Sequence, residues 1–198
     1  MKKPKWLENY DFLPVIRLPQ KYYIHDFSQG EDLNPTDVPF SVGKYNEKRR
    51  NMYTTELFQK DKRDIHMGVD IAAPVGTEIY NFFDGELVYL SQNKEAGDYG
   101  PTLVYRYNFN GKFIYALFGH LSLQSLHLHS VGDRVVKGAL IGHIGDRDVN
   151  GGWFPHLHFQ LSLKDPGEAN MPGVVSDELH SRAMETYPDP RWVLGPLY

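Results

Sequence analysis

The stretch "TLVYRYNFNGKFIYALF", residues 102 to 118, decides the fold. Two runs rich in β-branched and aromatic residues flank Asn110 and Gly111, a dipeptide that accepts positive φ and so suits a tight turn between antiparallel strands. Upstream, "TEIYNFF" (77–83) and "ELVYLS" (86–91) flank Asp84 and Gly85 and predict a second hairpin of the same kind. Downstream, "DRVVKGALIGHIG" (133–145) predicts two short strands around Lys137 and Gly138, and "HLHFQLSL" (156–163) predicts one more. The expected fold class is mainly β, an antiparallel β-sheet core.

On either side the pattern changes. Residues 1–63 mix aromatics, prolines and charges without a sustained period, which predicts a wrapping arm with short strands packed on a core at 64–164. In the tail, 165–198, "SDELHSRAMETY" (176–187) predicts a short helix capped by Ser176 and ended before Pro188. A chain of 198 residues, 41% of them hydrophobic, suffices for one such core.

The net charge of −4, with Lys and Arg scattered except for "EKRR" (47–50), predicts neither nucleic acid nor a membrane surface as partner. No window approaches the roughly 18 to 20 apolar residues needed to span a bilayer. The N-terminal residues carry Glu8, Asp11 and Arg17 where an export signal needs an apolar run. Cytoplasmic residence is therefore expected, with export the alternative if a native leader is missing; the oligomeric state is not legible. Zero cysteines exclude disulfides, thiolate metal sites and cysteine nucleophiles, so any metal falls to His, Asp or Glu.

Nine histidines narrow the search. In "HLHFQLSL" His156, His158, Gln160 and Ser162 alternate with Leu157, Phe159, Leu161 and Leu163, so a strand puts both histidines on one open face opposite the core. The same tripeptide occurs in "SLHLHSV" (125–131), where His127 and His129 alternate equally well. Context separates the copies. The upstream pair runs into an ordinary turn at Gly132 and Asp133 and reads as an exposed strand face. The downstream pair follows "GDRDVNGGWFP" (145–155), a glycine- and aromatic-rich loop of the kind that carries binding groups. Trp153 and Phe154 in that loop are candidates to line a substrate cleft or simply to pack.

"DIHMGVDIAAPVGT" (64–77) adds His66 and Asp70, which share a face on a strand, with Gly68 between them leaving room for an ion. Two histidines and one carboxylate with a fourth position open to water is a catalytic zinc arrangement. It is also the facial triad of non-haem Fe(II) oxygenases, which usually begin with the closer HxD spacing. His120, after "KFIYALFG", is by itself an ordinary polar residue near a turn, and His25, His143 and His180 are expected to have no catalytic part.

Taken together, "HMGVDIAAPVGTEIYNFFDGELVYL" (66–90), "YALFGHLS" (115–122), "VGDRVVKGALIGHIGD" (131–146) and "FPHLHFQL" (154–161) resemble the successive blocks of the M23 zinc metallopeptidases of the lysostaphin and LytM type. The resemblance implies a β-sheet groove and one zinc ion per chain bound by His66, Asp70 and His158. It also implies that His120 and His156 are the catalytic histidines. The HExxH glutamate is absent, so a histidine, titrating near neutrality, would take the water proton and pass it to the leaving amine. The tail "MPGVVSDELHSRAMETYPDPRWVLGPL" (171–197), with "NGGWFPHLHFQ" (150–160), is similar to an M23-like segment found beside kinase-like and class III aminotransferase domains. That likeness implies an intracellular role on a peptide or small amide, while the lack of an export signal and the long, bulky loop before His156 count against peptidoglycan as substrate. A non-catalytic module that uses the M23 groove to bind a partner is the remaining alternative.

Overall fold

The computed structural model describes residues 2–30, 38–59 and 61–198. The turn between "TLVYRYNF" and "KFIYALF" is formed as expected, with Asn110 at φ 52° and Gly111 at φ 85°. Strands are numbered along the chain: β1 (Tyr23–Ile24), β2 (Ser41–Gly43), β3 (Ile65–His66), β4 (Val69–Ala72), β5 (Glu78–Tyr80), β6 (Gly85–Asn93), β7 (Gly100–Phe109), β8 (Lys112–Gly119), β9 (Arg134–Val135), β10 (Leu140–His143), β11 (His156–Ser162) and β12 (Val174–Val175). Among the described residues three short α-helices accompany them, α1 (Glu56–Gln59), α2 (Asp177–Thr186) and α3 (Arg191–Leu194). The fold is mainly β. The main sheet runs β1-β2-β4-β11-β8-β7-β6-β9, and only the β1 to β2 pairing is parallel. No helix among the described residues is long and apolar enough to cross a membrane.

One face of this sheet carries Leu103, Phe118, Phe159 and Leu157, fully buried with Phe82 and Tyr107 in the principal core. The rings of Phe159, Phe118 and Phe82 meet edge to face, at centroid distances of 5.1 Å and 6.0 Å from Phe159. The arm joins the same core: Tyr10 and Phe12 set their rings edge-on to Phe109.

Three expectations need correction. The second hairpin does not form, because β5 pairs with β10 while β6 pairs with β7 and β9. Between β5 and β6 the chain turns inward. Buried Asn81 donates to the carbonyls of Val135 and Val136 and accepts from the Tyr107 hydroxyl, and Phe82 enters the core, so the two strands part into different sheets. The upstream "SLHLHSV" is not a strand: Leu123–His127 is a 3₁₀ helix, and His129 Nε2 donates to the Leu140 carbonyl at 3.0 Å. Finally, the polar face of β11 is not open beyond His156. His158, Gln160 and Ser162 are buried, because the tail lays Ala169 and Met171 with Tyr99 over Val104 and Leu117 on that face. The tail also adds a strand that its sequence did not announce, β12, paired with β3. Helix α2 begins after Ser176 as expected, although the Ser176 side chain makes no capping bond.

Candidate metal centre

Strand register brings the candidate residues together. β11 lies between β4 and β8, with His158 opposite Asp70 on one side and Gly119 on the other. His66 ends β3, just before the chain kinks through Met67 and Gly68 into β4, so two short strands rather than one carry the HxxxD pair. His66 Nε2, Asp70 Oδ1 and His158 Nδ1 form a triangle with sides of 3.2, 3.0 and 3.1 Å. Among the described residues this is the group able to hold a metal.

Gly68 makes room, though not for the ion. A side chain there would place Cβ 2.5 Å from His158 Cε1, so the missing side chain admits the imidazole ring itself.

The outer bonds fix which ring atoms face inward. His66 Nδ1 donates to the Lys44 carbonyl at 2.9 Å, which leaves a lone pair on Nε2. Gln160 donates through Nε2 to the Pro172 carbonyl, so its Oε1 accepts from His158 Nε2 at 3.0 Å and leaves a lone pair on His158 Nδ1. The third corner is a carboxylate oxygen. Three lone-pair donors therefore face one another with no proton between them, an arrangement that repels itself unless a cation joins them. Zinc ligands at about 2.0–2.1 Å in a tetrahedron stand about 3.3 Å apart, close to the observed sides. The donor set fits zinc.

His120 and His156 flank the triangle, their rings 4.3 Å apart. His120 Nδ1 donates to the Asn150 carbonyl and His156 Nδ1 to that of Phe154, so each keeps a lone pair on Nε2. His156 Nε2 lies 3.7 Å from Asp70 Oδ1. His120 adopts φ 62°, left-handed backbone that a side-chain-bearing residue seldom takes, and such strain clusters at functional sites.

Burial shapes the charge state. It lowers His66 to about 4, with Arg49 pushing the same way. It also drives His120 well below the usual imidazole value, helped by His156 and His158, and lowers His156. Neutral imidazoles are what metal ligation and proton acceptance require. Burial alone would raise Asp70, but the permanently charged Arg49 guanidinium on Oδ2 outweighs it, and the carboxyl is held well below the usual range.

The triangle lies in a cleft of about 1120 Å³. Trp153 and Phe154 both line it, Phe154 with 68% of its surface exposed, and the arm supplies the facing aromatics Tyr53 and Phe58. The ring of Tyr53 meets that of Trp153 at 6.0 Å. His25 also lines the cleft, stacked on Phe27, whereas His143 belongs to β10 and His180 bonds to Asn46 on the surface.

Sequence reasoning missed the residues that orient the ligands: Lys44 through its carbonyl, Gln160, and Arg49, whose guanidinium reaches Asp70 Oδ2 at 2.6 Å. Gln160 could have been found, since it continues the polar alternation of "HLHFQ". Arg49 stood in "EKRR", where a cluster of charges reads as surface.

Fold and site together define a mainly β protein built around a His-Asp-His cluster able to hold a metal. Residues 64–170 match Peptidase family M23, and the chain belongs to that family. It is similar to the peptidoglycan DD-endopeptidase ShyC of Vibrio cholerae serotype O1, 28% identical over 163 residues that span 78% of this chain and 32% of that protein. It is also similar to ShyA of the same organism, a peptidoglycan DD-endopeptidase, 30% identical over 157 residues that span 72% of this chain and 32% of that protein. The matched part is thus about a third of the length of each relative. Among solved structures, the catalytic domain of lysostaphin from Staphylococcus simulans superposes with a TM-score of 0.46 at 24% identity, covering 67% of this chain and 81% of that one.

Proposed function

We propose that the chain hydrolyses a peptide or amide bond, using one zinc ion held by His66, Asp70 and His158. The observation that carries this reading is the convergence of three proton-free donors within 3.2 Å of one another, inside a cleft and beside two further histidines. Zinc at such a site supplies a Lewis acid that activates water and polarises the amide carbonyl.

The chain's own residues do the rest. His120 and His156 each present Nε2 as a base, their Nδ1 protons fixed on the carbonyls of Asn150 and Phe154. One accepts the proton of the attacking water on Nε2 and returns that same proton to the leaving amine; the other, its Nε2 likewise a lone pair, accepts a hydrogen bond from the water and orients it. The aromatic walls from Trp153, Phe154 and Tyr53 bound the cleft and hold an extended peptide across the donors.

Family membership favours hydrolysis over the Fe(II) oxygenase reading, and the five polar groups together favour an active enzyme over a binding module. The names of the relatives bring peptidoglycan stem peptides in as candidate substrates, which the sequence reading had set aside.

The test is metal analysis of the purified protein followed by cleavage assays on quenched peptides and on peptidoglycan fragments. One equivalent of zinc, with cleavage abolished by a chelator and restored by zinc, supports the reading. Stoichiometric iron after anaerobic isolation, or zinc-loaded protein inert toward every amide tried, contradicts it.

A further inference from the structure

Arg49 comes from the arm, outside the residues that match the family, yet it closes one side of the metal centre. Its side chain is 3% exposed and makes four distinct bonds. Nη1 donates to Asp70 Oδ2 at 2.6 Å and to the Tyr53 hydroxyl at 3.2 Å, Nε donates to Glu47 at 3.1 Å, and Nη2 donates to the Lys44 carbonyl at 3.3 Å. Space is kept for it: a Cβ at Gly43 would lie 2.6 Å from Nη2. The Lys44 carbonyl that receives Arg49 also receives His66 Nδ1, so one segment of the arm orients two of the three candidate ligands.

Resting on the metal-centre reading above, we propose that Arg49 is a positioning residue that confines Asp70 to ligation through Oδ1 alone. A carboxylate with both oxygens free can chelate one cation through both. Here Oδ2 is taken by a rigid, permanently charged guanidinium whose fork is held on three other sides. Oδ1 alone faces the histidine nitrogens. Arg49 also draws charge from the carboxylate, so the ligand donates less to the metal and the metal remains a stronger Lewis acid with a coordination position left for water. The arm is therefore part of the centre and not merely a cover for it.

Cobalt(II) reports this directly, because a four-coordinate ion has intense visible bands and a five-coordinate one weak bands. Wild type loaded with Co2+ alone should show the intense bands. Arg49→Met, which keeps the unbranched stem of the side chain but removes the guanidinium and so frees Oδ2, should bind one Co2+ and show the weak bands, with kcat on zinc lower by about 10–100-fold. A folded Arg49→Met that keeps the intense bands, or that no longer binds Co2+, overturns the proposal. Should Arg49→Met not fold, zinc-loaded wild type decides: its crystal structure should show Oδ2 on Arg49 and unbound to zinc, and ligation by both oxygens overturns the proposal. Failure of wild type to bind either metal instead removes the metal-centre reading itself, so the two failures are distinguishable.

Discussion

His156 and His158 part company at their ring nitrogens. His158 turns Nδ1 toward Asp70 and His66 and rests Nε2 on Gln160, whereas His156 spends Nδ1 on the Phe154 carbonyl and keeps Nε2 as a base. His158→Ala should therefore lose both metal and activity. His120→Ala should keep one equivalent of metal while hydrolysis falls by about 10²–10⁴-fold, measured by metal analysis and kcat on the same preparation. Replacing His127 and His129 together by Ala should alter neither, since His129 is engaged with the Leu140 carbonyl and the pair is remote in role. Gly68→Ala should also lose metal, because its Cβ would overlap the His158 ring at 2.5 Å. At this scale the HxH pair was legible because its alternation runs along the single strand β11; the HxxxD spacing stood out although β3 and β4 divide it, and His120 entered only through the family resemblance. Lys44 and Arg49 were not. A backbone carbonyl has no signature, and an arginine pairs with an aspartate 21 residues away only through the fold.

Strands reveal themselves through turns and alternation, and both fail where an element changes partner. β7 and β8 were legible because Asn110 and Gly111 connect strands that pair from Phe109↔Lys112 to Leu103↔Phe118. β5 and β6 carry equally good patterns but part at Asn81, whose side chain replaces the missing ladder with bonds to Val135, Val136 and Tyr107. Asn81→Ala takes the acceptor from the buried Tyr107 hydroxyl and a donor from the Val135 carbonyl, and we expect a loss of about 1–3 kcal/mol of stability by chemical denaturation. Phe159→Ala, in the strand that carries both histidines, should cost about 3–5 kcal/mol by the same measurement, since its ring packs between Phe82 and Phe118. The covered face of β11 escaped the sequence because alternation says which residues share a side, not that Met171 and Ala169 will return to cover it.

Across the whole molecule, arm and tail close on each other as well as on the core. Tyr22 donates its hydroxyl to the Leu197 carbonyl, the Tyr45 amide donates to the Tyr198 hydroxyl, and Tyr45 in turn bonds to the Tyr187 carbonyl. Strand β2 of the arm pairs with β4, the strand that carries Asp70. Removal of residues 1–63 is thus expected to abolish the single cooperative thermal transition of the full chain and to leave material that binds no zinc, as read by calorimetry and metal titration. Anomalous diffraction at the zinc edge, from crystals of the zinc-loaded full chain, reads the ligand set itself. One peak is expected within about 2.0–2.2 Å of His66 Nε2, Asp70 Oδ1 and His158 Nδ1. A peak held instead by His127 and His129, or by His156 in place of His158, would contradict it.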